Sequence, residues 1–545
     1  MSHPFSPTQI RFNGYGIDDR RAVSARFWIG GPGSPSVIIP VADLNTGSPE
    51  LWRRFGELGI LLSAADKKAV LQKIQPFSGD SLRFKVVNSP GWSVGYVTPT
   101  KVYGAPPCIV ERDFGDLDLR KYRSAETLRD WQDNVLPLCA GNSRLMFAIM
   151  CAFAGPLLEI LGIGSFGFQL FGPSSIGKTI ILMVAGSVWG CRVGAGSPLG
   201  FLATWATTPE GVERSGRIHN HGFLPVDETR LAGTDREMGK LVATFIMRLA
   251  EGVGKNRLVP IGDGGDWQLV YLGSSNLSLA EIFVRAGLEF DDAYRVRFPD
   301  ITADAGLGYG AFETIHGFAD AGEFAKELHR RACTYFGVAS EHYLEHLAKD
   351  RLHRRNWLVQ WVGGALAYYR RQVPVGSPAD ARITDSFAVV YAAGLLAHRY
   401  GILPWTPEEI AWAVQSCERA HHQAVAENQA KLDPIAAVRA YITANLSRFR
   451  PVPDPSITDR EFSNSLGFLY VNDNDSLEYA VPNKSFARAV APLNVGDVLR
   501  ALDTAGLLVR GRDRYVSKVP IRNSTDDGRK FVYRICSSIL DVPTN

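Results

Sequence analysis

The segment that most constrains the fold is a glycine-bounded loop between an apolar strand and an apolar helix. The strand is predicted over Phe166–Phe171 and the helix over residues 180–189. The loop between them has the pattern G-x-x-x-x-G-K-T, which in this setting is typical of a phosphate-binding loop. Its residues are Gly172, Pro173, Ser174, Ser175, Ile176, Gly177, Lys178 and Thr179. The alternative is a glycine-rich turn that carries Lys-Thr by chance.

Each part of this loop has a role in holding a polyphosphate. The glycines let backbone N–H groups wrap phosphate oxygens, and the start of the following helix favours negative charge. Lys178 would reach the β- and γ-phosphates, and Thr179 would ligate Mg²⁺. The sequence therefore predicts ATP and Mg²⁺ as cofactors of an α/β P-loop core.

A second motif lies further along the chain, where an apolar strand over 222–226 ends in Asp227 and Glu228. The distance from the P-loop leaves room for a helix and another strand, so this segment has the form of a Walker B motif. Asp227 would hold Mg²⁺ through water, and Glu228 would polarise the attacking water. Pro225 is awkward in this strand, because proline removes a ladder hydrogen bond.

A third core strand is predicted over Trp267–Leu272 and is followed by polar residues. Asn276 is the candidate for orienting the hydrolytic water, with Ser275 as the reserve. A polar strand end in a loop is the alternative. Just before this strand, a predicted hairpin with a glycine-rich turn carries Lys255 and Arg257 at its base.

Two other segments carry residues that bear on function. The segment 295–300 is predicted to open a short strand, and its arginines, Arg295 and Arg297, could reach the γ-phosphate of a neighbouring subunit. A solvated arginine is the alternative interpretation. The run His219–His221 is interpreted as surface or cap residues and is given no role.

Composition, net charge and cysteine content indicate which kind of protein this chain is. The chain has 545 residues, 46% of them hydrophobic and 21% charged, which fits about three or four ordinary globular domains. The net charge of +3 gives no global basic field, so DNA contacts must come from local clusters. Seven scattered cysteines without a C-x-x-C pair indicate reduced thiols and a cytoplasmic location rather than disulfides or zinc.

Neither the N-terminus nor the most apolar segment indicates a membrane protein. The first residues lack the basic and apolar regions of a signal peptide. The apolar segment Met146–Gly164 contains Pro156 and Glu159, and it is interpreted as a buried helix rather than a membrane span.

Four domains are predicted from the pattern of elements. They are an N-terminal α+β module over 1–120, a P-loop ATPase core over 121–315, a helical lid over 316–430 and a winged helix over 431–545. In the first, the strands Leu82–Val87 and Trp92–Val97 are predicted to form a hairpin. The segment Lys431–Pro455 is interpreted as a proline-bearing connection.

The winged-helix prediction depends on a helix, a strand, a basic turn and a closing strand near the C-terminus. Such modules place a helix in the major groove and the wing on the backbone. The basic turn contributes the candidate DNA-binding residues Arg510, Arg512 and Arg514. A winged helix used only for protein packing is the alternative.

A larger set of stretches resembles one bacterial family. They are Gly91-Trp92, Cys139–Leu145, Ala152–Leu157, Phe171–Thr179, Ala185–Gly190, Val226–Glu228 and Gly252–Arg257. Together they resemble the family catalogued as "domain of unknown function 927", over roughly residues 50–430. The resemblance implies that the chain is a hexameric AAA+ helicase of a mobile element or phage, with a layout similar to superfamily 3 and minichromosome-maintenance motors. It also places Lys255 and Arg257 in a pore hairpin that faces single-stranded DNA, and Arg297 at the arginine-finger position.

The sequence departs from this family pattern at two places, Pro225 and the run Ser274-Ser-Asn276, where Ser-Gly-Glu would be expected. Some members of the family are inactive derivatives. Many members also carry a primase module, but nothing in residues 1–120 resembles one. The predicted function is an ATP-driven DNA motor, a ring-forming homo-oligomeric helicase with duplex DNA at the winged helix. The alternatives are a nucleotide-gated DNA-binding protein with weak or absent hydrolysis, and an AAA+ defence or remodelling ATPase that acts on protein.

Overall fold

The structure is a computed structural model, and it describes most of the chain. The described residues are 9–18, 21–30, 36–46, 49–104, 109–112, 114, 121–191, 201–205, 208–227, 234–253, 266–491, 493–511, 515–521 and 529–541.

The N-terminal part is a small α+β unit. Its elements are β1 (Ile10–Ile17), β2 (Val23–Ile29), β3 (Ser36–Pro40), α1 (Val41–Thr46), α2 (Pro49–Gly56), α3 (Ala64–Gln72), β4 (Leu82–Val87), β5 (Gly91–Trp92), β6 (Tyr96–Val97), β7 (Val102–Tyr103) and β8 (Ile109–Arg112). One sheet has the order β3-β2-β1-β4-β8, and a second has the order β5-β6-β7. Ser63 caps α3 in a capping box with Asp66.

The predicted hairpin between residues 82–87 and 92–97 is wrong. Strand β4 instead runs parallel to β1 and to β8, while β5 pairs with β6. The turn between β4 and β5 does not fold back, because Pro90 and Trp92 are held elsewhere. The amide of Asn220 donates to the Pro90 carbonyl at 3.0 Å, and the Trp92 N–H donates to His221 Nδ1 at 2.9 Å.

The central part contains a parallel sheet with helices on both faces. Its elements are α4 (Leu128–Asn134), α5 (Leu136–Cys139), α6 (Ser143–Ala154), α7 (Leu157–Leu161), β9 (Phe166–Phe171), α8 (Lys178–Ser187), β10 (Ala203–Thr204), α9 (Pro209–Ile218), β11 (Phe223–Asp227), α10 (Asp235–Glu251), β12 (Val270–Ser275), α11 (Leu279–Ala286), α12 (Asp292–Arg297) and β13 (Asp300–Thr302). The strand order is β10-β11-β12-β9-β13, and all neighbours are parallel.

Alternate residues of these strands face two different hydrophobic clusters. Phe168 of β9 and Leu272 of β12 face one cluster, which also contains residues of α6 and α8. Leu224 of β11 and Tyr271 of β12 face the other, together with residues of α10 and α11. Because both faces are covered, the strands are mostly apolar, as expected for a buried parallel sheet. This arrangement confirms the α/β core.

Four helices follow the parallel sheet, and the C-terminal part mixes helices with a second sheet. The four helices are α13 (Ala321–Ala332), α14 (Val338–Gln372), α15 (Pro378–Arg399) and α16 (Pro407–Leu432). The C-terminal elements are α17 (Pro434–Asn445), β14 (Arg450–Val452), α18 (Asp459–Asn464), β15 (Phe468–Val471), β16 (Leu477–Pro482), α19 (Asn483–Ala489), α20 (Val495–Thr504), β17 (Leu508–Val509), β18 (Ser517–Pro520) and β19 (Arg529–Cys536).

The helices α15 and α16 pack against α6, and α16 also packs against β13. Helix α14 kinks at Arg354, where the backbone has φ −140° and ψ 36°. In the described parts of the chain, no helix combines the length and the apolar character that a membrane crossing requires. The segment Met146–Gly164 contains the short buried helices α6 and α7, as interpreted from the sequence.

The C-terminal sheet has the order β14-β15-β16-β19-β17, with β18 paired to β19. The segment Lys431–Pro455, interpreted as a connection, contains the helix α17. Its start is explained by Pro434 at the first helical turn and by Asp433, whose carboxylate accepts from the N–H groups of Ile435 and Ala436. Proline therefore begins a helix here rather than excluding one.

Candidate nucleotide-binding site

The glycine-bounded loop connects β9 to α8 at the carboxyl end of the parallel sheet. Gly177 caps α8 with a φ of +104°, a backbone conformation that glycine adopts without strain. A Cβ atom on Gly177 would lie 2.7 Å from the ring of Phe312. The loop backbone therefore passes close to Phe312, and a larger residue at this position would push the two segments apart.

Lys178 is 8% exposed, and its ammonium group is held by oxygens from two strand ends. It donates to the carbonyls of Gly172 at 2.8 Å and Pro173 at 2.6 Å, both in the loop after β9. It also donates to Asn276 Oδ1 at 3.1 Å, just beyond β12. The structure thus brings Lys178 and Asn276 together, although they are far apart in the sequence.

Asp227 lies at the end of β11, and its carboxylate faces the start of α8. Thr179 donates its hydroxyl to Asp227 Oδ1 at 3.2 Å. Ser274 of β12 donates to the same oxygen. Sequence reasoning missed this role of Ser274. The pairing of Gly273 with Val226 sets β12 so that Ser274 lies beside Asp227, and pairing between strands is not visible in a single sequence.

Pro225 does not break the ladder between β11 and β12. The N–H of Val270 donates to the Gly222 carbonyl, and residues of a parallel strand bond alternately to its two neighbours. By this alternation the backbone of Leu224 faces β12, and the nitrogen of Pro225 faces the other side. On that side the short strand β10 pairs only with Val226 and Asp227, so the missing N–H costs no strand pairing.

Asn276 and Ser275 have different surroundings. Asn276 faces Lys178, as described above. Ser275 Oγ accepts from the N–H of Leu277 at 3.1 Å and so takes part in the turn that follows β12. Of the two alternatives left open by the sequence, Asn276 has the side chain in contact with the loop lysine.

These strand ends surround a cavity of about 320 Å³. Its lining residues are Ser174, Ser175, Gly177, Lys178, Thr179, Ile180, Asp227, Ser274, Ser275, Asn276 and Ala325. All but Ala325 come from the P-loop, the start of α8 and the ends of β11 and β12. Ala325 comes from α13, so the helices after the sheet also contribute to the cavity wall.

A glycine-rich segment after β13 supports the P-loop from outside, and sequence reasoning missed it. The N–H of Ala311 donates to the Ile176 carbonyl at 2.8 Å. Gly310 has a φ of +65°, and a Cβ atom there would lie 2.7 Å from the same carbonyl. The repeated glycines between Gly306 and Gly310 were the available sequence signal, but nothing in it indicated the P-loop as their contact.

The donor set fits a magnesium nucleotide. Mg²⁺ prefers oxygen ligands, and Thr179 and Asp227 present a hydroxyl and a carboxylate 3.2 Å apart. The N-terminus of α8 and the ammonium of Lys178 supply positive potential for phosphates. Within the described residues, no group of three or more His, Cys, Asp or Glu side chains is placed to hold a metal ion.

Arg297 lies away from this cavity in the same chain. It was predicted to open a strand, but it ends the helix α12, and its guanidinium donates to the Ala293 carbonyl at 2.8 Å. The strand β13 begins only at Asp300. The role predicted for Arg297 lies in the site of a neighbouring subunit, and it stays a prediction.

Several predicted site residues lie outside the described residues. They are Glu228, Lys255, Arg257, Arg512 and Arg514. Around the segment that carries Lys255, Val253 and Asp266 form an antiparallel bridge, and Trp267 N–H donates to Gly252 O at 2.8 Å. The two ends of this segment are thus held together, and β12 begins at Val270 rather than at Trp267.

Arg510 is described, and it is engaged within the C-terminal part. Its guanidinium forms an ion pair with Asp503 of α20 and lies 5.6 Å from the ring centroid of Tyr515. A DNA phosphate would have to compete with the Asp503 carboxylate for this arginine.

In the run His219–His221, His219 is the C-cap of α9, which agrees with the interpretation as cap residues, whereas the interpretation as surface residues is wrong. His219 is 1% and Asn220 is 7% exposed. Burial lowers the pKa of His221 to about 4 and that of His219 well below its ordinary value. His221 accepts from Trp92 N–H, and its own carbonyl accepts from the Tyr96 hydroxyl at 2.8 Å. This run therefore attaches the β5–β6–β7 sheet to the parallel core.

Asp300 is a buried carboxyl group at the start of β13, beside the P-loop strand. Burial raises its pKa to about 8, against hydrogen bonds from the Leu279 N–H and the Gln169 amide, which lower it. Among the groups around it, Glu281 also raises this pKa, and His421 Nδ1 contacts the Asp300 carbonyl.

We expect Asp300 to make the core less stable as the pH rises. Between about pH 4 and 8 the folded chain keeps a proton that the unfolded chain has released, so the free energy of unfolding falls by about 1.4 kcal/mol per pH unit. The contribution is complete below pH 4 and is lost near pH 8. Hydrogen exchange of the β9 amides, corrected for intrinsic rates, measures this slope. Asp300→Asn should remove it, and equal slopes in the two proteins would contradict the assignment.

The family comparison agrees with the motifs at the site. Residues 36–263 match the model of the family described as "Domain of unknown function (DUF927)". The resemblance predicted from the sequence is confirmed. The DUF927 match contains the P-loop and Asp227 but ends before β12, whereas the sequence suggested that it continues to about residue 430. No curated protein matches the chain.

A solved structure with the same fold extends the comparison beyond the DUF927 match. It is described as "SCCmec type IV Cch - active helicase" and has a TM-score of 0.59 and 17% sequence identity. The alignment covers 98% of this chain and 95% of that chain, so it includes the C-terminal sheet. At this identity, the comparison shows a shared fold.

Proposed function

We propose that this protein is an ATP-driven DNA motor, a ring-forming helicase with an AAA+-like core. The observation that carries the proposal is the convergence of Lys178, Thr179, Asp227 and Asn276 on one cavity at the carboxyl end of the sheet. The shared fold with a protein described as an active helicase supports it, as does the DUF927 match.

In this proposal the chain's own residues divide the work of hydrolysis. Lys178 binds the β- and γ-phosphates, and Thr179 and Asp227 hold Mg²⁺, which supplies neutralising charge. Glu228 acts as the general base for the attacking water, and Asn276 orients that water. Ser274 fixes the carboxylate of Asp227. Arg297 stabilises the phosphoryl charge in the site of a neighbouring subunit.

The outer parts of the chain have proposed roles in the same motor. Residues 121–315 form the ATPase core, 316–430 a helical lid and 1–120 a separate module. Ala325 supports the lid assignment because it belongs to α13 and lines the cavity. Residues 431–545 form a winged helix, supported by α20 and the β17–β19–β18 strands that follow it. Its basic turn, with Arg510, Arg512 and Arg514, would contact duplex DNA.

Strand displacement on forked DNA tests the proposed function. The motor requires displacement with ATP, none with a non-hydrolysable analogue, and none in Glu228→Gln, which keeps nucleotide binding but loses the base. Nucleotide-dependent DNA binding without displacement or turnover would instead indicate a nucleotide-gated DNA-binding protein. Turnover that DNA does not stimulate would indicate a remodelling ATPase that acts on protein.

The double variant Lys255→Ala with Arg257→Ala should separate DNA contact from ATP chemistry. If these residues face single-stranded DNA in a pore, each contacted phosphate releases counterions, so the variant should bind DNA more weakly and with a flatter salt dependence. DNA-stimulated turnover should disappear, while basal turnover and oligomer mass stay unchanged. All three quantities are measured on one preparation. Loss of basal turnover with unchanged DNA affinity would place the two residues near the nucleotide instead.

A further inference from the structure

Two cysteines meet near the surface, at the far end of the P-loop helix. Cys191 follows the C-terminal end of α8, and Cys333 lies directly after α13 as its C-cap. A hydrogen bond joins the two thiol side chains. In contrast, Cys139, Cys151 and Cys417 are completely buried in the core.

The backbone around this pair keeps the two helix ends together. The N–H of Gly337 donates to the Ser187 carbonyl at 2.7 Å, and the N–H of Ser340 donates to the Val188 carbonyl at 3.0 Å. These bonds connect the end of α8 to the start of α14, a few residues after Cys333. The two thiols are therefore adjacent because of the fold, in a region with defined backbone contacts on both sides.

The two sulfur atoms differ in exposure and in electrostatic surroundings. Cys333 is partly exposed, and its Sγ lies 3.6 Å from His329 Nε2 on the preceding turn of α13. The hydrogen bond from Cys191 and the nearby His329 lower the pKa of Cys333 to about 6. Cys191 is buried and its pKa is raised, so it remains the protonated donor. This asymmetry is the one that distinguishes an attacking thiolate from a resolving thiol.

We propose that Cys333 and Cys191 form a peroxide-reactive dithiol, with Cys333 as the attacking thiolate and Cys191 as the resolving thiol. The Cys333 thiolate attacks one oxygen of hydrogen peroxide, the O–O bond breaks, and hydroxide leaves as Cys333 becomes a sulfenic acid. The Cys191 sulfur then attacks the Cys333 sulfur, the S–O bond breaks, and the hydroxyl group leaves as water with the proton of the Cys191 thiol. The hydroxide from the first step takes up the proton that Cys333 lost on ionisation. The two thiols are oxidised by two electrons in total, and the peroxide is reduced to two waters.

The disulfide would link the end of α13 covalently to the end of the P-loop helix α8. Ala325 of α13 lines the cavity at the other end of α8, so the crosslink restricts the movement of one cavity wall relative to Lys178. This consequence depends on the proposed nucleotide site, whereas formation of the disulfide does not. The two parts can fail independently.

The test treats the full-length reduced protein with a few equivalents of hydrogen peroxide, blocks free thiols with N-ethylmaleimide, and analyses a non-reducing digest by mass spectrometry. The expected product is a peptide that links Cys191 to Cys333, lighter by two hydrogens and restored by dithiothreitol. In Cys191→Ser, dimedone should label a sulfenic acid at Cys333. In Cys333→Ser, Cys191 should remain reduced.

Cys151 and Cys417 provide an internal control, because they are buried near each other and should stay unlinked and unmodified. Unmodified Cys333 in the folded wild type would overturn the proposal. So would oxidation of Cys333 to a sulfinic acid without linkage to Cys191. The effect of the disulfide on the cavity is tested separately by measuring ATP affinity before and after oxidation. If the disulfide forms and ATP affinity does not change, the proposed effect on the cavity is wrong, and the proposed dithiol chemistry stands.

Discussion

Lys178→Ala should greatly lower the affinity for ATP. The ammonium of Lys178 is buried at the mouth of the P-loop, where it is positioned for the phosphates by three oxygens. Removing one partner of a desolvated, charge-assisted contact costs about 2–5 kcal/mol of binding, which is about 30-fold to several thousand-fold in affinity. Isothermal titration with ATP in the presence of Mg²⁺ measures the change.

Two further variants keep this test interpretable. Lys178→Met retains the length of the side chain without its charge, so it should lose affinity to a similar degree with less disturbance of the loop. Lys240→Ala removes an exposed lysine on α10 and should bind ATP like the parent protein. Wild-type ATP affinity in both Lys178 variants, with the far-UV spectrum unchanged, would contradict the nucleotide-binding assignment.

Asp227→Asn should stop metal-dependent hydrolysis while leaving the local fold in place. The asparagine Oδ1 can still accept from Thr179 and Ser274, but the negative charge that would hold Mg²⁺ is gone. A metal contributes several kcal/mol of charge stabilisation in phosphoryl transfer, so we expect turnover to fall by about 100-fold or more. Steady-state phosphate release across a Mg²⁺ titration measures both the rate and the metal dependence.

Ser274→Ala is the matched comparison for Asp227. It removes one hydrogen bond to the carboxylate and keeps the charge, so turnover should fall by only about 5- to 10-fold. A higher Mg²⁺ concentration for half-maximal rate should accompany this loss. If Asp227→Asn keeps the parent metal dependence, Asp227 is not the metal-holding residue, and the proposed hydrolysis mechanism fails.

The structure also shows how the N-terminal strands are connected to the part of the chain that contains the parallel sheet. Trp92 donates its indole N–H to the Pro156 carbonyl at 2.8 Å, and Arg351 of α14 lies 4.2 Å from its ring centroid. Arg351 is also paired with Glu159 at 2.7 Å. With the contacts of His221, these bonds form one partly buried junction between the N-terminal strands, α7 and α14.

The sequence by itself predicted the elements whose signals are local. The strand before the P-loop, the helix after it and the acidic end of β11 follow from a short apolar run, a glycine pair and a terminal carboxylate. The buried character of Met146–Gly164 was recognised for the same reason. In each case the physical cause lies within a few neighbouring residues, so a single chain displays it.

Only the tertiary structure decided which distant segments meet. Pairing placed β4 beside β1 instead of in a hairpin, and it placed Ser274 beside Asp227. Packing buried His219–His221 under the N-terminal strands, although two histidines and an asparagine look like surface residues. The register between β11 and β12 also determined that the missing N–H of Pro225 faces away from β12. These outcomes depend on contacts between residues far apart in the chain. Such contacts form only when the chain folds, so a short stretch of sequence does not display them.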